Sequence, residues 1–202
     1  MTDGEHAPPM RTALSLAIST LILATALAGC SGISGIVGGS DSVEVPTWEV
    51  GDWWLYTFST PDYTDDTARL VVASVSEEGG TANMLAISSL TEARRHAVLN
   101  HNPFLGRMTH EDLAAFENGV AQTVMDFPLK EGGTWGFTLF SVEWSADVRG
   151  ISGNYVTMGA SSGDGSKLDY VYDSDAGFLS SFIWTDATGV EQMRMMLANS
   201  GD

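Results

Sequence analysis

From Cys30 onward, the groups whose types and spacing could do chemistry are one thiol, three histidines and several clusters of acids. Cys30 is the only cysteine and follows an apolar run, Thr12 to Ala28. A free cysteine is most often a small buried hydrophobe, but Gly29, Ser31, Gly32 and Gly35 leave no core-like pattern around this one. Its setting suits attachment of a lipid to the thiol better than packing. His96, His101 and His110, with Glu111, are the set whose nearness in sequence raises the question of a metal. Zinc needs converging ligands, and adjacent His110 and Glu111 would point about 100° apart on a helix, so no metal is expected there. Asp173, Asp175 and Gly177 match part of the spacing of a calcium loop. Such a loop takes its glycine at the sixth position, whereas Gly177 stands fifth, and a hairpin turn is the simpler use of these residues. Asp62, Asp65 and Asp66 make a second acidic cluster. No serine or cysteine nucleophile stands out beside a histidine partner, and the number of acids alone does not signal the paired carboxylates of glycoside hydrolysis. The expectation is a protein that is not an enzyme and carries no cofactor.

Met10-Arg11 and the run from Thr12 to Ala28 have the parts of a secretory signal: a positive charge, an apolar stretch and small residues before a cut. Nine residues precede it, with Asp3, Glu5 and Pro8-Pro9, an acidic opening foreign to such a region. They point to Met10 as the translated start. The tetrapeptide Leu27-Ala28-Gly29-Cys30 resembles the lipobox of secreted lipoproteins. The resemblance implies that residues 1–29 are a signal peptide and that Cys30 carries a diacylglycerol-type anchor on its thiol. The domain is then held to the cell membrane at its extracytoplasmic face, since two acyl chains anchor stably where one does so only marginally. An uncleaved apolar helix, near the lower length limit for spanning, is the alternative, and it leaves the domain tethered too.

Residues 1–29 contain Asp3, Glu5 and Arg11, which leaves 24 acidic against 8 basic side chains from Cys30 on, a net charge of −16. That field repels phosphate backbones, so nucleic acid is excluded as a partner. Only Lys130 and Lys167 are lysines, and the acidity resembles that of surface proteins from salt-adapted or marine prokaryotes, archaea in particular. With its thiol committed to lipid, the chain has no disulfide available and must be held by packing alone. Residues 30–46 read as the lipid-bearing, Gly/Ser-rich tether, whose coil from residue 31 on spans roughly 20–25 Å. Residues 47–202 read as a single domain, long enough to bury a core.

In that domain the hydrophobic period is mostly two. Trp54, Tyr56 and Phe58 share one face of the first strand and Trp53, Leu55 and Thr57 the other. Similar runs follow over 68–76, 82–89, 93–99, 120–127, 134–140, 142–149, 154–161, 167–173, 178–185 and 190–198, several of them separated by glycine turns. This predicts a mainly β fold, an antiparallel meander of about eleven strands curved into a half-barrel. One short helix is expected near 109–118, with Thr109 as N-cap, acids in the first turn and Gly119 past the end.

Gly51-Asp52-Trp53-Trp54-Leu55-Tyr56-Thr57-Phe58, the stretch from Phe127-Pro128-Leu129 to Thr134-Trp135, and Tyr172-Asp173 to Gly177-Phe178-Leu179 come in the order seen in secreted domains built on such a sheet. Together with the anchor, they resemble the half-barrels of the lipoprotein-carrier superfamily, the LolA/LolB-like proteins. The resemblance implies a concave apolar face that accepts a hydrophobic ligand, a lipid or acyl chain, and it carries over no catalytic residue. Tyr170, Tyr172, Phe182 and Trp184 are the aromatics expected to line such a groove, if the sheet's own residues do not fill it. The rival expectation is a structural or interaction protein of the cell surface with a filled core and no groove. Neither reading designates a protein partner.

Overall fold

Alternation of inward and outward side chains along a strand organises nearly everything from Trp53 on. The structure, a computed structural model, describes residues 42–62, 66–76, 81–87 and 102–202. Its strands are β1 (Ser42–Val43), β2 (Trp53–Ser59), β3 (Asp66–Ser76), β4 (Thr81–Ile87), β5 (Gly106–Thr109), β6 (Ala115–Glu117) and β7 (Val120–Gln122). These are followed by β8 (Leu129–Lys130), β9 (Thr134–Leu139), β10 (Val142–Ser152), β11 (Tyr155–Ser162), β12 (Lys167–Asp173), β13 (Phe178–Thr185) and β14 (Glu191–Gly201). The ladders are antiparallel, and twelve strands form one sheet in the order β7-β6-β5-β4-β3-β2-β14-β13-β12-β11-β10-β9, with β1 and β8 as a separate pair.

The first and last strands of the sheet, β2 and β14, lie side by side near its middle. From β2 the chain meanders outward to the edge at β7, crosses to the opposite edge at β9, and meanders back to β14. Twelve strands laid flat would put those edges about 53 Å apart at the usual spacing. The connection from Gln122 to Thr134 can reach only about 40 Å fully extended, so the sheet has to curl. The curl brings its edges together: Gln122 Oε1 on β7 accepts from the Thr138 amide on β9 at 2.7 Å. Glu117 of β6 clasps the hairpin between β9 and β10, accepting from the Phe140 amide at 2.7 Å and from the Ser141 amide. Among the described residues, side chains rather than a backbone ladder join the two edges, and the sheet is curved but not closed.

Phe140 and Ser141 both take positive φ (56° and 61°), which the two-residue turn requires and which costs about 1 kcal/mol or more for each non-glycine residue. The charged acceptor on their amides offsets that cost. Replacing Glu117 by Ala is expected to lower stability by about 1.5 kcal/mol, the worth of a hydrogen bond to a charged group. The shift would be read as a lower urea midpoint at unchanged slope, and an unchanged midpoint would show the clasp to be idle.

The expected helix near 109–118 is replaced by β5, a tight loop and the hairpin of β6 and β7. Thr109 Oγ1 accepts from the Ala114 amide at 2.7 Å and its hydroxyl donates to Asp112, so the capping residues close a local turn instead of starting a helix. Leu113 is left-handed (φ 51°) and stops helical propagation, and Asn118-Gly119 (φ 51° and 81°) forms the turn between β6 and β7. The described residues also hold more strands than the eleven expected, because this segment adds short ones to the sheet and β1 and β8 pair separately from it. The 93–99 run lies outside the described residues, and of the 120–127 run only Val120–Gln122 is a strand.

Candidate functional site

The residues expected to line a groove do share one face. Tyr170 and Tyr172 alternate inward along β12, Phe182 lies opposite Tyr170 on β13, and Trp184 lies opposite Leu168. What faces them across the concave side is the chain itself. Phe104, in the connection before β5, is fully buried and meets Phe178 and Phe182 edge-on, with ring centroids at 5.4 and 5.3 Å. Asn102, also buried, holds that connection in place: its Oδ1 accepts from the Phe104 amide at 3.0 Å, and its Nδ2 donates to Met195 Sδ at 3.6 Å. From the other side Val124 and Met125 are fully buried, and the Tyr170 hydroxyl donates to the Val124 carbonyl at 3.0 Å. Tyr172 takes the edge of Phe127, centroids 5.3 Å apart.

Burial pushes the phenols of Tyr170 and Tyr172 well above the ordinary tyrosine range, and Asp147 and Asp173, respectively, add to the rise. Both stay protonated at any physiological pH. Tyr170, Tyr172 and Phe182 are each exposed by 1% or less, so they are core here and reach no solvent.

Aromatic groups also occupy the two ends of the curled sheet. At one end Trp48, Trp54 and Phe178 form a cluster with centroids 5.1–5.2 Å apart. The indole N–H groups of Trp48 and Trp54 donate to the carbonyls of Gly177 and Ala176 at 3.0 and 2.7 Å. At the other end Phe140 stacks flat on Trp184, centroids 4.2 Å apart at an angle of 6°. Trp184 is half-buried, and its indole N–H finds no acceptor among the described residues. Trp53, on the opposite face of β2 from Trp54, lies under the Arg69 guanidinium at 3.9 Å.

The other chemistry-bearing residues are put to structural use. His110 Nε2 lies 3.3 Å from the Trp48 carbonyl, and among the described residues no three His, Cys, Asp or Glu side chains converge as a metal site would need. Asp173 Oδ1 accepts from the amides of Asp175 and Ala176, and Gly177 takes φ 65°, so this acidic stretch is the turn between β12 and β13. Gly159-Ala160-Ser161-Ser162-Gly163 has the Gly-x-Ser-x-Gly spacing, but Ser161 lies within β11, paired on both sides, and not on the strand-to-helix elbow that would expose a nucleophile. Cys30, His96 and His101 lie outside the described residues. Among the described residues no helix is long and apolar enough to cross a membrane.

Phe104 and the Val124–Met125 pair were not legible as fillers, because their partners lie more than 40 positions away. For Phe104 the available signal is an apolar residue standing in a stretch without strand periodicity, whereas Val124 and Met125 fall in the 120–127 run expected as a strand, which ends at Gln122. Compared with known proteins, the chain matches no family model, no curated protein and no solved structure.

Proposed function

We propose that the chain is a lipid-anchored, extracytoplasmic lipoprotein whose β domain serves as a structural or interaction module of the cell surface, with a filled interior and no enzymatic role. The filled interior is the observation that favours this over a carrier of lipid or acyl chains. The space an acyl chain would take in front of Tyr170, Tyr172 and Phe182 is held by Phe104, Val124 and Met125. Displacing an aromatic anchor of that kind costs about 3 kcal/mol or more, and a ligand would have to supply that before any net affinity appeared. In this reading the domain shares the half-barrel architecture of LolA/LolB-like proteins and makes its contacts through an acidic exterior. The anchor rests on the Leu27-Ala28-Gly29-Cys30 tetrapeptide and the apolar run before it.

Two measurements on the full chain purified from membranes test the proposal. Mass spectrometry should find Cys30 as the N-terminus, carrying a thioether-linked diacylglycerol, while Cys30→Ala accumulates as the uncut precursor. Retention of residues 12–29 in the wild type would remove the anchor from the proposal. A fluorescent fatty acid should show no saturable binding to the same preparation, and stoichiometric uptake would restore the carrier reading.

A further inference from the structure

Along β12, β13 and β14 the side chains of Leu168, Tyr170, Phe182, Met193 and Met195 point into the core, so the residues alternating with them form the outer face. Three rows cross that face. In the first, Asp169 of β12 stands beside Ile183 of β13, and Ile183 beside Arg194 of β14. Val171, Ser181 and Met196 make the second row in the same order, and Lys167, Thr185 and Glu191 the third. Each β12 residue is thus answered at its own level on β14 by one of complementary kind: acid by base, base by acid, apolar by apolar. With strands about 4.8 Å apart and rows about 6.8 Å apart, the pattern covers about 10 Å by 14 Å. Arg149 joins it from β10, bonded to Asp169 and 3.7 Å from Asp147. The face then balances Arg149, Lys167 and Arg194 against Asp147, Asp169 and Glu191. It is neutral on a chain with 24 acids and 8 bases from Cys30 on.

Two copies of so acidic a chain repel wherever acids meet, and a contact between them has to fall where charge cancels. A two-fold axis laid along β13 over Ile183 turns each β12 residue onto the β14 residue at its level in the other copy. Asp169 then faces Arg194 of the second copy, Val171 faces Met196, and Lys167 faces Glu191. Thr185, Ile183 and Ser181 meet their own counterparts on the axis, as an isologous contact requires. Asp169 keeps its bond to Arg149, and Arg194 its fork on Glu191, so charges of opposite sign alternate across the contact. Lys167, which has no carboxylate partner among the described residues, gains one. The axis sets β13 nearly in line with its copy, the geometry of aligned sheet packing. Because the sheet curls away on either side, the contact stays close to these three strands and belongs to the small, weak class. We propose that the outer face of β12, β13 and β14 is the contact surface of a weak two-fold dimer, its partner a second copy of this chain. The proposal rests on the interaction-module reading, which it deepens by naming the partner, and it needs no lipid at Cys30.

The test is sedimentation equilibrium of the full chain in a detergent matched to the density of the solvent, so that the mass read is that of protein alone. At about 0.15 M salt the wild type should pass from monomer to dimer with a Kd of roughly 10–100 μM. Asp169→Lys and Arg194→Glu each turn two contacts of the dimer, one on either side of the axis, into like-charge pairs. Each should weaken association by about tenfold or more. Both positions are exposed and the pairs they lose within the chain are surface pairs of small worth, so urea midpoints should stay near that of the wild type. An equal mixture of the two variants restores opposite charges on both sides of the axis, as does the double variant by itself. Both should recover a Kd within roughly threefold of the wild type. The proposal is overturned if the wild type stays monomeric up to about 500 μM, if either single variant associates as the wild type does, or if the mixture and the double variant stay monomeric. Uptake of a fatty acid by the same preparation would instead overturn the filled-interior reading, and it leaves these masses unchanged, so the two failures are told apart.

Discussion

Replacing Phe104 by Ala should cost about 3–5 kcal/mol of unfolding free energy, the range for removing a buried aromatic side chain. Phe104 joins the sheet's concave face to the chain that fills it. It is fully buried and meets two aromatic rings edge-on, Phe178 near one end of β13 and Phe182 further along. Such pairs contribute beyond the area they bury. Truncation leaves a cavity walled by β13 and β14, whose Met195 is fully buried and tied to Asn102. Methionine can re-pack into part of that space, which favours the lower half of the range. The measurement is a urea or guanidinium titration of the variant against wild type, with the slope checked for change. It also decides between the two functional readings. If Phe104 were a displaceable cover over a ligand groove, its removal would cost little and would open the face to a fluorescent fatty acid. A loss under about 1 kcal/mol accompanied by new fatty-acid binding would therefore sink the filled-core reading.

Why the sheet was legible and its filling was not follows from the range of the interactions involved. Period-two alternation is a property of neighbours in sequence, so β2, β3 and β9 to β14 fall within a few residues of the runs that predict them. The same alternation put Trp53 and Trp54 on opposite faces, as the Arg69 stack on one and the Ala176 hydrogen bond of the other show. It also put Tyr170, Tyr172, Phe182 and Trp184 on a common face. What faces that surface depends on residues far along the chain, and no local pattern encodes the approach of Phe104 to Phe178. The segment near 109–118 failed for a different reason. Its Thr, Asp and Gly serve equally well as helix caps and as turn formers. The Asn118-Gly119 pair, a strong hairpin signal, also fits the exit from a helix. The curl of the sheet was within reach of arithmetic, since a connection as short as 123–133 cannot bridge the edges of a flat twelve-stranded sheet. That step, however, needs the strand order, which alternation does not supply.

At Trp48 packing and hydrogen bonding can be separated by a pair of substitutions. Trp48→Phe keeps most of the ring contact with Trp54 and Phe178 and removes the donor to the Gly177 carbonyl. It should lose about 1 kcal/mol, the net worth of one such bond. Trp48→Ala removes the ring as well and should lose about 3–5 kcal/mol, because the indole is 97% buried between the first strand of the sheet and the turn after β12 (relative exposure 3%). The larger loss has a consequence for the segment that precedes Trp48. Trp48 is the first fully buried residue after Ser42, and the segment between them is held by the two-residue pairing of Ser42 and Val43 with Lys130 and Leu129 and by the half-buried Val43 and Val45, which pack against the core. A ladder that short is not stable without the anchor beside it. In Trp48→Ala, then, the amide hydrogens of residues 42–47 should exchange at nearly the rate of an open chain while those of β12 to β14 stay protected. If residues 42–47 keep their protection in Trp48→Ala, their fixation does not depend on the indole, and the β1–β8 pair holds that end of the domain by itself.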